Sequence, residues 1–238
     1  MICKGCSQDK KLIKAHIIPE SFFIGHRTAK ESPLLISNEA GIYPKKSRIG
    51  VYDKEILCNE CEGKFQDVDN YGQTILLKNE DSHVKLTKND KIFGYQINGV
   101  DYQRLKQFFI SVLWRASISK HAFYSKIQLG SYESKAKALI WNGNLDTTGL
   151  FSFFIAKFKD PDIGRAILDP HRQRHEGVNY CQFYMYGYII YIKVDKRSTP
   201  EKYKKFEANN DGVLNIVSRD IFKSGELEVM RSIVNKKI

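Results

Sequence analysis

Two stretches of the sequence decide the fold of the N-terminal region: MICKGCSQDKKLIKAH at residues 1–16 and YDKEILCNECEGKFQDVDNYG at residues 52–72. Each stretch contains a C-x2-C pair, and His16 lies ten residues beyond the second cysteine of the first pair. Three roles are open to this histidine: a zinc ligand, a core residue or the base of an active site. The choice among them depends on what the two cysteine pairs bind.

The cysteine pairs, Cys3 with Cys6 and Cys58 with Cys61, predict a structural Zn²⁺ site of four thiolates. Each pair can close a tight turn around one metal, so that the two turns join distant segments of the chain. Uncoordinated thiols and a redox-active pair are the alternatives. Cys181, within NYCQFYMY, has no partner cysteine and is predicted to be a buried strand residue.

The composition is typical of a globular protein, with 42% hydrophobic and 27% charged residues among 238. No uninterrupted apolar run is long enough to cross a bilayer. Charged residues, from Lys4 to Lys11, lie where a signal peptide would need apolar ones. We therefore expect a cytoplasmic protein with no membrane partner.

The net charge of +11 and the pI near 9.3 favour a polyanionic partner, above all nucleic acid. Residues 1–82 contain 12 Lys and Arg against 12 Asp and Glu, whereas residues 83–238 contain 26 against 15. The C-terminal region would therefore supply most of the attraction. A basic surface that only keeps the protein soluble is the alternative.

Hydrophobic spacing predicts secondary structure on both sides of residue 82, where we expect a boundary between domains 1–82 and 83–238. Residues 59–79 have a helical pattern, and residues 25–50 suggest a long loop or an irregular hairpin. Further helices are expected at 101–120, 131–143 and within 213–234, and strands at 83–87, 91–102, 150–158 and 178–194, the last split at Gly187.

The first cysteine pair followed by KAHIIP, and DKEILCNEC followed by Glu, resemble the zinc-bearing HNH endonucleases. In that family a C-x2-C pair precedes a histidine, isoleucine and proline, and a later N-L-x-x-L-C-x-x-C-H motif supplies an asparagine and the last histidine. By this register His16 occupies the first position, Asp53 the middle one and Glu62 the last. The resemblance covers the first domain only. It implies a treble-clef or ββα-metal module, in which a β-hairpin and a helix surround a metal.

The resemblance implies hydrolysis of a phosphodiester bond in DNA, which needs a nucleophilic water, a base and a cation on the scissile phosphate. His16 would be the general base, since an imidazole with a pKa near 6.5 accepts a proton at neutral pH. Asp53 would orient the imidazole or join the metal sphere, and Glu62 would hold Mg²⁺ or Mn²⁺. Residues seven apart lie only about 20° from each other around a helix, so Asp69 could chelate the same cation as Glu62.

The sequence departs from the family pattern at three positions. Many relatives have a metal-binding Asp or His immediately before the base, where this chain has Ala15. Asp53 replaces the asparagine and Glu62 replaces the last histidine. A divergent nuclease and a zinc fold without catalysis both fit these changes. The corresponding structural roles are a core histidine at His16, a turn cap at Asp53, and at Glu62 a carboxylate favoured by a helix N-terminus.

Basic residues of the first domain would contact a phosphate backbone near the predicted base. Lys14 lies just before His16, and Lys45, Lys46 and Arg48 lie in the predicted loop. A solvated basic loop without a ligand is the alternative role of these residues.

A second basic cluster, DPHRQRHEG, spans residues 169–177 and contributes Arg172 and Arg174 as candidate contacts to nucleic acid. The proline before the cluster and the glycine after it predict an exposed loop. In a helix, by contrast, the His-x3-His spacing would let His171 and His175 bind one metal.

Together these features predict an α+β protein with an N-terminal treble-clef or ββα-metal zinc module and a mixed α/β C-terminal domain. The predicted function is metal-dependent cleavage of DNA, and the sequence does not distinguish DNA from RNA. The alternative is a zinc module that binds nucleic acid or a protein without catalysis. The second domain would bind substrate, form a homodimer or sense a regulatory protein partner. Relatives with these motifs are prokaryotic proteins, some of them linked to antiviral defence.

Overall fold

The computed structural model describes residues 1–24, 32–37, 42–143, 149–160 and 166–235. Within these ranges the chain is a mixture of helices and strands, with a large sheet and a cluster of cysteines near the N-terminus. A mixed α and β architecture was predicted and is confirmed.

The N-terminal region is built from short elements. They are β1 (Ala15–His16), α1 (Ser21–Ile24), β2 (Leu34–Ile36), β3 (Lys45–Lys46), β4 (Tyr52–Asp53), α2 (Asn59–Gly63) and α3 (Gln66–Gln73), followed by a π-helical turn at Thr74–Lys78. The predicted helix at 59–79 is confirmed but broken, because α2 ends before α3 begins. β2 and β3 pair antiparallel, as expected of an irregular hairpin, whose residues 25–31 and 38–41 lie outside the described ranges.

The rest of the chain contains longer elements. They are β5 (Val84–Lys88), β6 (Lys91–Asn98), α4 (Tyr102–Ile118), α5 (Tyr132–Asn142), β7 (Phe153–Phe158), β8 (Ala166–Leu168), β9 (His171–His175), β10 (Val178–Met185), β11 (Tyr188–Lys193), α6 (Glu201–Lys204), β12 (Val213–Arg219) and α7 (Gly225–Asn235). The predicted helices and strands of this region are confirmed, and Gly187 separates β10 from β11 as expected.

Seven of these strands form one sheet in the order β5-β6-β12-β7-β11-β10-β9. Neighbours are antiparallel except β12 and β7, which run parallel. β12, close to the C-terminus, lies between β6 and β7 and thereby joins the two halves of the sheet. A smaller sheet in the order β3-β2-β8 connects the N-terminal region to the second half of the chain.

The prediction of an exposed loop at residues 169–177 is wrong. His171–His175 form β9, an edge strand paired with β10, and the following turn has positive φ angles at Glu176 (45°) and Gly177 (85°). Four residues of strand span about 13 Å, so His171 and His175 are too far apart to bind one metal. Backbone pairing with a strongly apolar partner strand stabilises this polar segment, which its own composition does not predict.

Helix α4 lies at the centre of the core and is almost entirely buried. Asp101 caps its N-terminus by accepting a hydrogen bond from the Arg104 N–H at 3.1 Å. Its Phe109 ring packs against Phe153 of β7, with 4.7 Å between ring centroids. α4 has 17 residues. No helix in the described ranges has the length and apolar character needed to cross a membrane.

One hydrophobic core includes residues from both sides of residue 82. Phe65, just before α3, packs against Trp114 of α4 and Trp141 of α5, with ring centroids 6.3 and 5.8 Å apart. The parts of the chain before and after residue 82 therefore share buried side chains. The division into two domains at this residue stays a prediction.

Candidate metal centre and active site

Four cysteine side chains converge near the N-terminus. The Sγ atoms of Cys3, Cys6, Cys58 and Cys61 all lie within 4.8 Å of one another. Tetrahedral Zn²⁺ with Zn–S bonds of about 2.3 Å requires sulfurs roughly 3.8 Å apart, which fits this cluster. The four cysteines are therefore positioned to hold a metal ion, and a structural Zn²⁺ is consistent with them.

Local hydrogen bonds shape the first cysteine turn. The Ser7 N–H donates to the Cys3 carbonyl at 2.8 Å, and Ser7 itself has a φ of 60°, in the left-handed region. Gly5 approaches the second pair so closely that an added Cβ would lie 2.7 Å from the Cys61 Sγ. A side chain at this position would collide with the metal ligands, so the turn requires glycine.

Backbone pairing brings the second cysteine turn to the first. The Lys4 N–H donates to the Ile56 carbonyl at 2.8 Å, and Leu12 forms an isolated antiparallel bridge with Cys58. Cys58 directly precedes α2, and Cys61 lies within that helix. The first turn and the start of α2 thus enclose the metal position.

The thiols differ in their electrostatic surroundings. Burial acts to raise the pKa of Cys3, but backbone N–H groups at Cys6, Cys58 and Gly5 outweigh it and lower the pKa to about 6. The Cys58 N–H, for example, lies 3.3 Å from the Cys3 Sγ. Burial raises the pKa of Cys61 instead. Four adjacent thiolates repel one another, so without a cation some of the cysteines keep their protons. Metal binding would release the protons of these thiols.

His16 and Glu62, two of the predicted site residues, lie together beside the cysteine cluster. The His16 backbone N–H donates to Glu62 Oε1 at 3.2 Å, which joins β1 to α2. The other polar atoms of these side chains, His16 Nε2 and Glu62 Oε2, are buried, and within the described residues neither has a hydrogen-bond partner. A buried polar atom without a partner is costly, so this pair marks a place where a ligand would be stabilising.

Burial shifts the pKa of both side chains toward the neutral form. It lowers the pKa of the His16 imidazole, and Arg115 adds to this, whereas Glu20 and the Ile49 backbone act in the opposite direction. It raises the pKa of the Glu62 carboxyl, against the opposing charge of Arg115. The imidazole is therefore neutral at pH 7, the state that a base requires.

Asp69 is bound to an arginine. Both of its carboxylate oxygens accept hydrogen bonds from the Arg115 guanidinium, at 2.7 and 2.9 Å. Burial raises the pKa of Asp69 and Arg115 opposes that rise. The guanidinium thus binds both oxygens of Asp69, and its chelation of a cation together with Glu62 stays a prediction.

Arg115 is the residue of this site that the sequence analysis missed. Its side chain is fully buried, and besides Asp69 it donates to the His16 carbonyl at 3.0 Å and to Ser111 Oγ at 3.1 Å. Its guanidinium also lies over the Phe65 ring, 4.7 Å from the centroid. The available signal was one arginine within the apolar run FFISVLWRASI of α4, where a charge needs a buried partner.

The backbone of Asp53 lies close to that of His16, but the two side chains point in different directions. β1 and β4 pair Ala15 with Asp53 and His16 with Tyr52, so Asp53 and His16 project from opposite faces of the two-stranded sheet. Ala15 is completely buried and offers no ligand atom.

The Asp53 carboxylate accepts three hydrogen bonds, from the Glu55 N–H at 2.8 Å, Ser119 Oγ at 2.9 Å and the Lys120 N–H at 2.9 Å. Burial acts to raise the pKa of Asp53, but these hydrogen bonds outweigh it and hold the pKa below its usual value. In the structure Asp53 joins β4 to the end of α4 and does not contact the imidazole through any of these bonds.

Besides the cysteine cluster, the described residues provide few ligands for the predicted Mg²⁺ or Mn²⁺. In these ranges, the four cysteines are the only group of three or more His, Cys, Asp or Glu side chains whose ligand atoms converge this closely. Mg²⁺ is commonly held by one or two carboxylates, with water and substrate phosphate completing its shell. Glu62 has one oxygen without a partner among the described residues, which fits such a site.

The predicted basic contacts lie on two different surfaces. Lys14, Lys45, Lys46 and Arg48 are exposed near β1 and β3, and the Lys14 Nζ lies 5.2 Å from the centre of the Tyr52 ring. Arg172 and Arg174 are exposed on β9, at the edge of the large sheet. Lys14 directly precedes β1, whereas Lys45, Lys46 and Arg48 lie in or just after β3 of the smaller sheet.

The chain matches no protein-family model, and no significantly similar curated protein or solved structure was found.

Proposed function

We propose that the N-terminal region is a metal-dependent endonuclease site of the HNH type that hydrolyses phosphodiester bonds of DNA in the cytoplasm. The observation that supports this most is a pair of buried atoms, His16 Nε2 and Glu62 Oε2, that have no hydrogen-bond partner among the described residues. The two residues are joined by a 3.2 Å hydrogen bond from the His16 backbone N–H to Glu62 Oε1. A base and an oxygen ligand placed side by side are the minimum that metal-assisted hydrolysis requires.

His16 acts as the general base in this proposal. Its neutral ring accepts a proton from a water molecule at Nε2, while the water oxygen attacks the phosphorus. The P–O bond to one sugar oxygen breaks, and this leaving oxygen takes a proton from solvent. Arg115, which donates to the His16 carbonyl at 3.0 Å, keeps the backbone of β1 in position during this step. Glu62 would hold Mg²⁺ or Mn²⁺, and the cation would supply charge stabilisation at the scissile phosphate.

The order of elements supports a ββα-metal or treble-clef arrangement. β1 and β4 form a two-stranded antiparallel sheet, and α2 follows with Glu62 in its second half. The cysteine cluster joins the segment before β1 to the start of α2. A structural Zn²⁺ in this cluster would fix the distance between the base and the carboxylate.

The charge distribution supports a nucleic-acid substrate. The exposed basic residues of the N-terminal region include Lys14, directly before β1, and Lys45, Lys46 and Arg48, in or just after β3. The whole chain has a net charge of +11. Cations that contact successive phosphates would bring the backbone to His16 and make binding strongly dependent on salt.

The test is cleavage of supercoiled plasmid by the purified protein with Mg²⁺ or Mn²⁺. We expect His16→Ala to lower the rate by about 100-fold or more, as for loss of a general base. Glu62→Gln should lower it comparably, whereas Glu60→Gln, an exposed carboxylate on the same helix, is the matched control and should retain activity. Equal zinc content in all variants shows that the structural site is intact.

A non-catalytic zinc module that binds nucleic acid is the second candidate. Two observations favour it: Ala15 offers no ligand where a relative would have one, and Arg115 occupies both oxygens of Asp69. If the wild-type protein binds DNA with zinc in place but does not cut, and His16→Ala changes neither property, this second function replaces the first.

A further inference from the structure

A cavity lies in the C-terminal half of the molecule. It has a volume of about 490 Å³, and the described residues that line it all come from positions 126–229. Strand β9, the ends of β10 and β12, and the first turns of α7 form its walls. Small-molecule sites usually have volumes of about 300–1,000 Å³, so this cavity can accept a ligand larger than a bare inorganic ion.

Two ion pairs hold cations in place at the cavity wall. Lys126 Nζ contacts Asp169 Oδ2 at 2.5 Å, and Arg219 contacts Glu226 at 2.9 Å. The carboxylates are nearly buried, with 4% and 10% of their side chains exposed, so their position is fixed by the fold. A ligand would meet donors that are already oriented, which lowers the entropy cost of binding.

The lining has more positive than negative groups. Arg172 adds a third cation, and its guanidinium uses one N–H in a 3.2 Å hydrogen bond to the Gln128 carbonyl. Guanidinium has five N–H donors in a planar fork that matches phosphate oxygens. With Lys126 and Arg219 balanced by their carboxylates, the charge of Arg172 favours an anionic group in the ligand.

One wall of the cavity is aromatic. The His171 ring stacks on the Tyr184 ring, with 5.9 Å between centroids and 27° between the planes. The Tyr184 hydroxyl is directed to Glu226 and Gln182, at 3.4 Å from each, which fixes the ring. A flat, rigid aromatic surface beside oriented cations suits a planar heterocycle that has hydrogen-bond acceptors of its own.

We propose that this cavity binds a mononucleotide, with its phosphate at Arg172 and its base against the His171–Tyr184 pair. Asp169 and Glu226 hold Lys126 and Arg219 in place, and these two cations donate hydrogen bonds to the base or the sugar. The ligand is either a free nucleotide or the 5′-phosphorylated end of a nucleic-acid strand, because both present the same chemical groups. This inference does not depend on the nuclease activity proposed above, since no residue of that site lines the cavity.

The test is calorimetric titration of the full chain, without divalent metal, with the four nucleoside monophosphates, inorganic phosphate and a short 5′-phosphorylated oligonucleotide. We expect at least one nucleotide to bind about tenfold more tightly than phosphate, because only the nucleotide can use the aromatic wall. Binding of free nucleotides identifies the first source, and binding of the oligonucleotide alone identifies the second.

Arg172→Ala should weaken binding by about tenfold or more, the loss expected for a charge-assisted hydrogen bond. His171→Ala should weaken it by about fivefold or more through the lost stacking surface. Arg231→Ala removes an equal charge from an exposed position of α7 that does not line the cavity, and is the matched control, with affinity retained within about twofold. Circular dichroism checks that each variant is folded.

Three results would overturn the proposal. The first is that no nucleotide or oligonucleotide binds at millimolar concentration. The second is that phosphate and nucleotides bind equally well. The third is that Arg172→Ala and Arg231→Ala lose affinity equally. The last result would mean that only the general charge of the surface attracts the ligand.

Discussion

Arg115 and Asp69 form a buried bidentate ion pair, with N–O distances of 2.7 and 2.9 Å, between the central helix α4 and helix α3. The same guanidinium donates to the His16 carbonyl. A single side chain therefore connects the core of the molecule to the backbone of the candidate base.

Removal of one partner of this pair should destabilise the protein strongly. Arg115→Met leaves the Asp69 carboxylate buried and unpaired, which we expect to lower the free energy of unfolding by about 3–5 kcal/mol. Urea denaturation followed by circular dichroism measures the change. The double variant Arg115→Met with Asp69→Leu should recover most of the loss, because it replaces both charges with apolar groups. A double variant that is no more stable than Arg115→Met would show that the ion pair is not the source of the effect.

The cysteine cluster should make stability depend on metal. We expect the purified protein to contain one zinc per chain and Cys61→Ser to lose it, since a structural site requires all four ligands. A strong chelator should lower the unfolding temperature of the wild-type protein much more than that of Cys61→Ser. Cys181→Ser is the control, because Cys181 is buried in β10 away from the cluster and should leave zinc content unchanged.

Gly72 should tolerate no side chain. An added Cβ at this position would lie 2.5 Å from the Phe108 ring, so Gly72→Ala forces α3 and α4 apart. We expect a loss of about 1–3 kcal/mol in the free energy of unfolding, as for other overpacked cores. Gly63→Ala is the matched control: it is exposed in α2 with nothing within 4 Å, and should be neutral or stabilising by up to about 1 kcal/mol. Similar effects of the two substitutions in denaturant titrations would contradict the packing described here.

His83 should contribute to a loss of stability in acid. Burial lowers the pKa of its ring, whose Nε2 lies 3.0 Å from the Ile75 carbonyl oxygen. In the unfolded chain the pKa is about 6.5, so protons bind preferentially to the unfolded state below that value. The stability is therefore complete above about pH 6.5 and decreases as the pH falls toward the lower pKa of the folded state. The unfolding free energy of His83→Gln should depend less on pH over this range than that of the wild type. Parallel pH profiles would mean that His83 does not titrate on unfolding.

Local sequence patterns predicted much of this molecule correctly. The four cysteines were identified from two C-x2-C spacings, because a turn that closes on a metal needs only nearby residues. Helix α4 and the hairpin of β10 and β11 followed from apolar periodicity and a glycine at the turn. The closeness of His16 and Glu62 also agreed with the expectation, since both flank the cysteine turns that fix them.

Long-range contacts determined the remaining features, and no local pattern shows them. The polar segment His171–His175 becomes a strand because β10 pairs with it. β12 lies in the middle of the sheet, where it pairs with β6 on one side and β7 on the other. Arg115 and Asp69 are 46 positions apart, and their pairing depends on how α3 packs against α4. Asp53, in β4, bonds to Ser119 and Lys120 at the end of α4, 66 and 67 positions away. Backbone pairing and the pairing of buried charges depend on which residues meet in space, and that is decided by the whole chain.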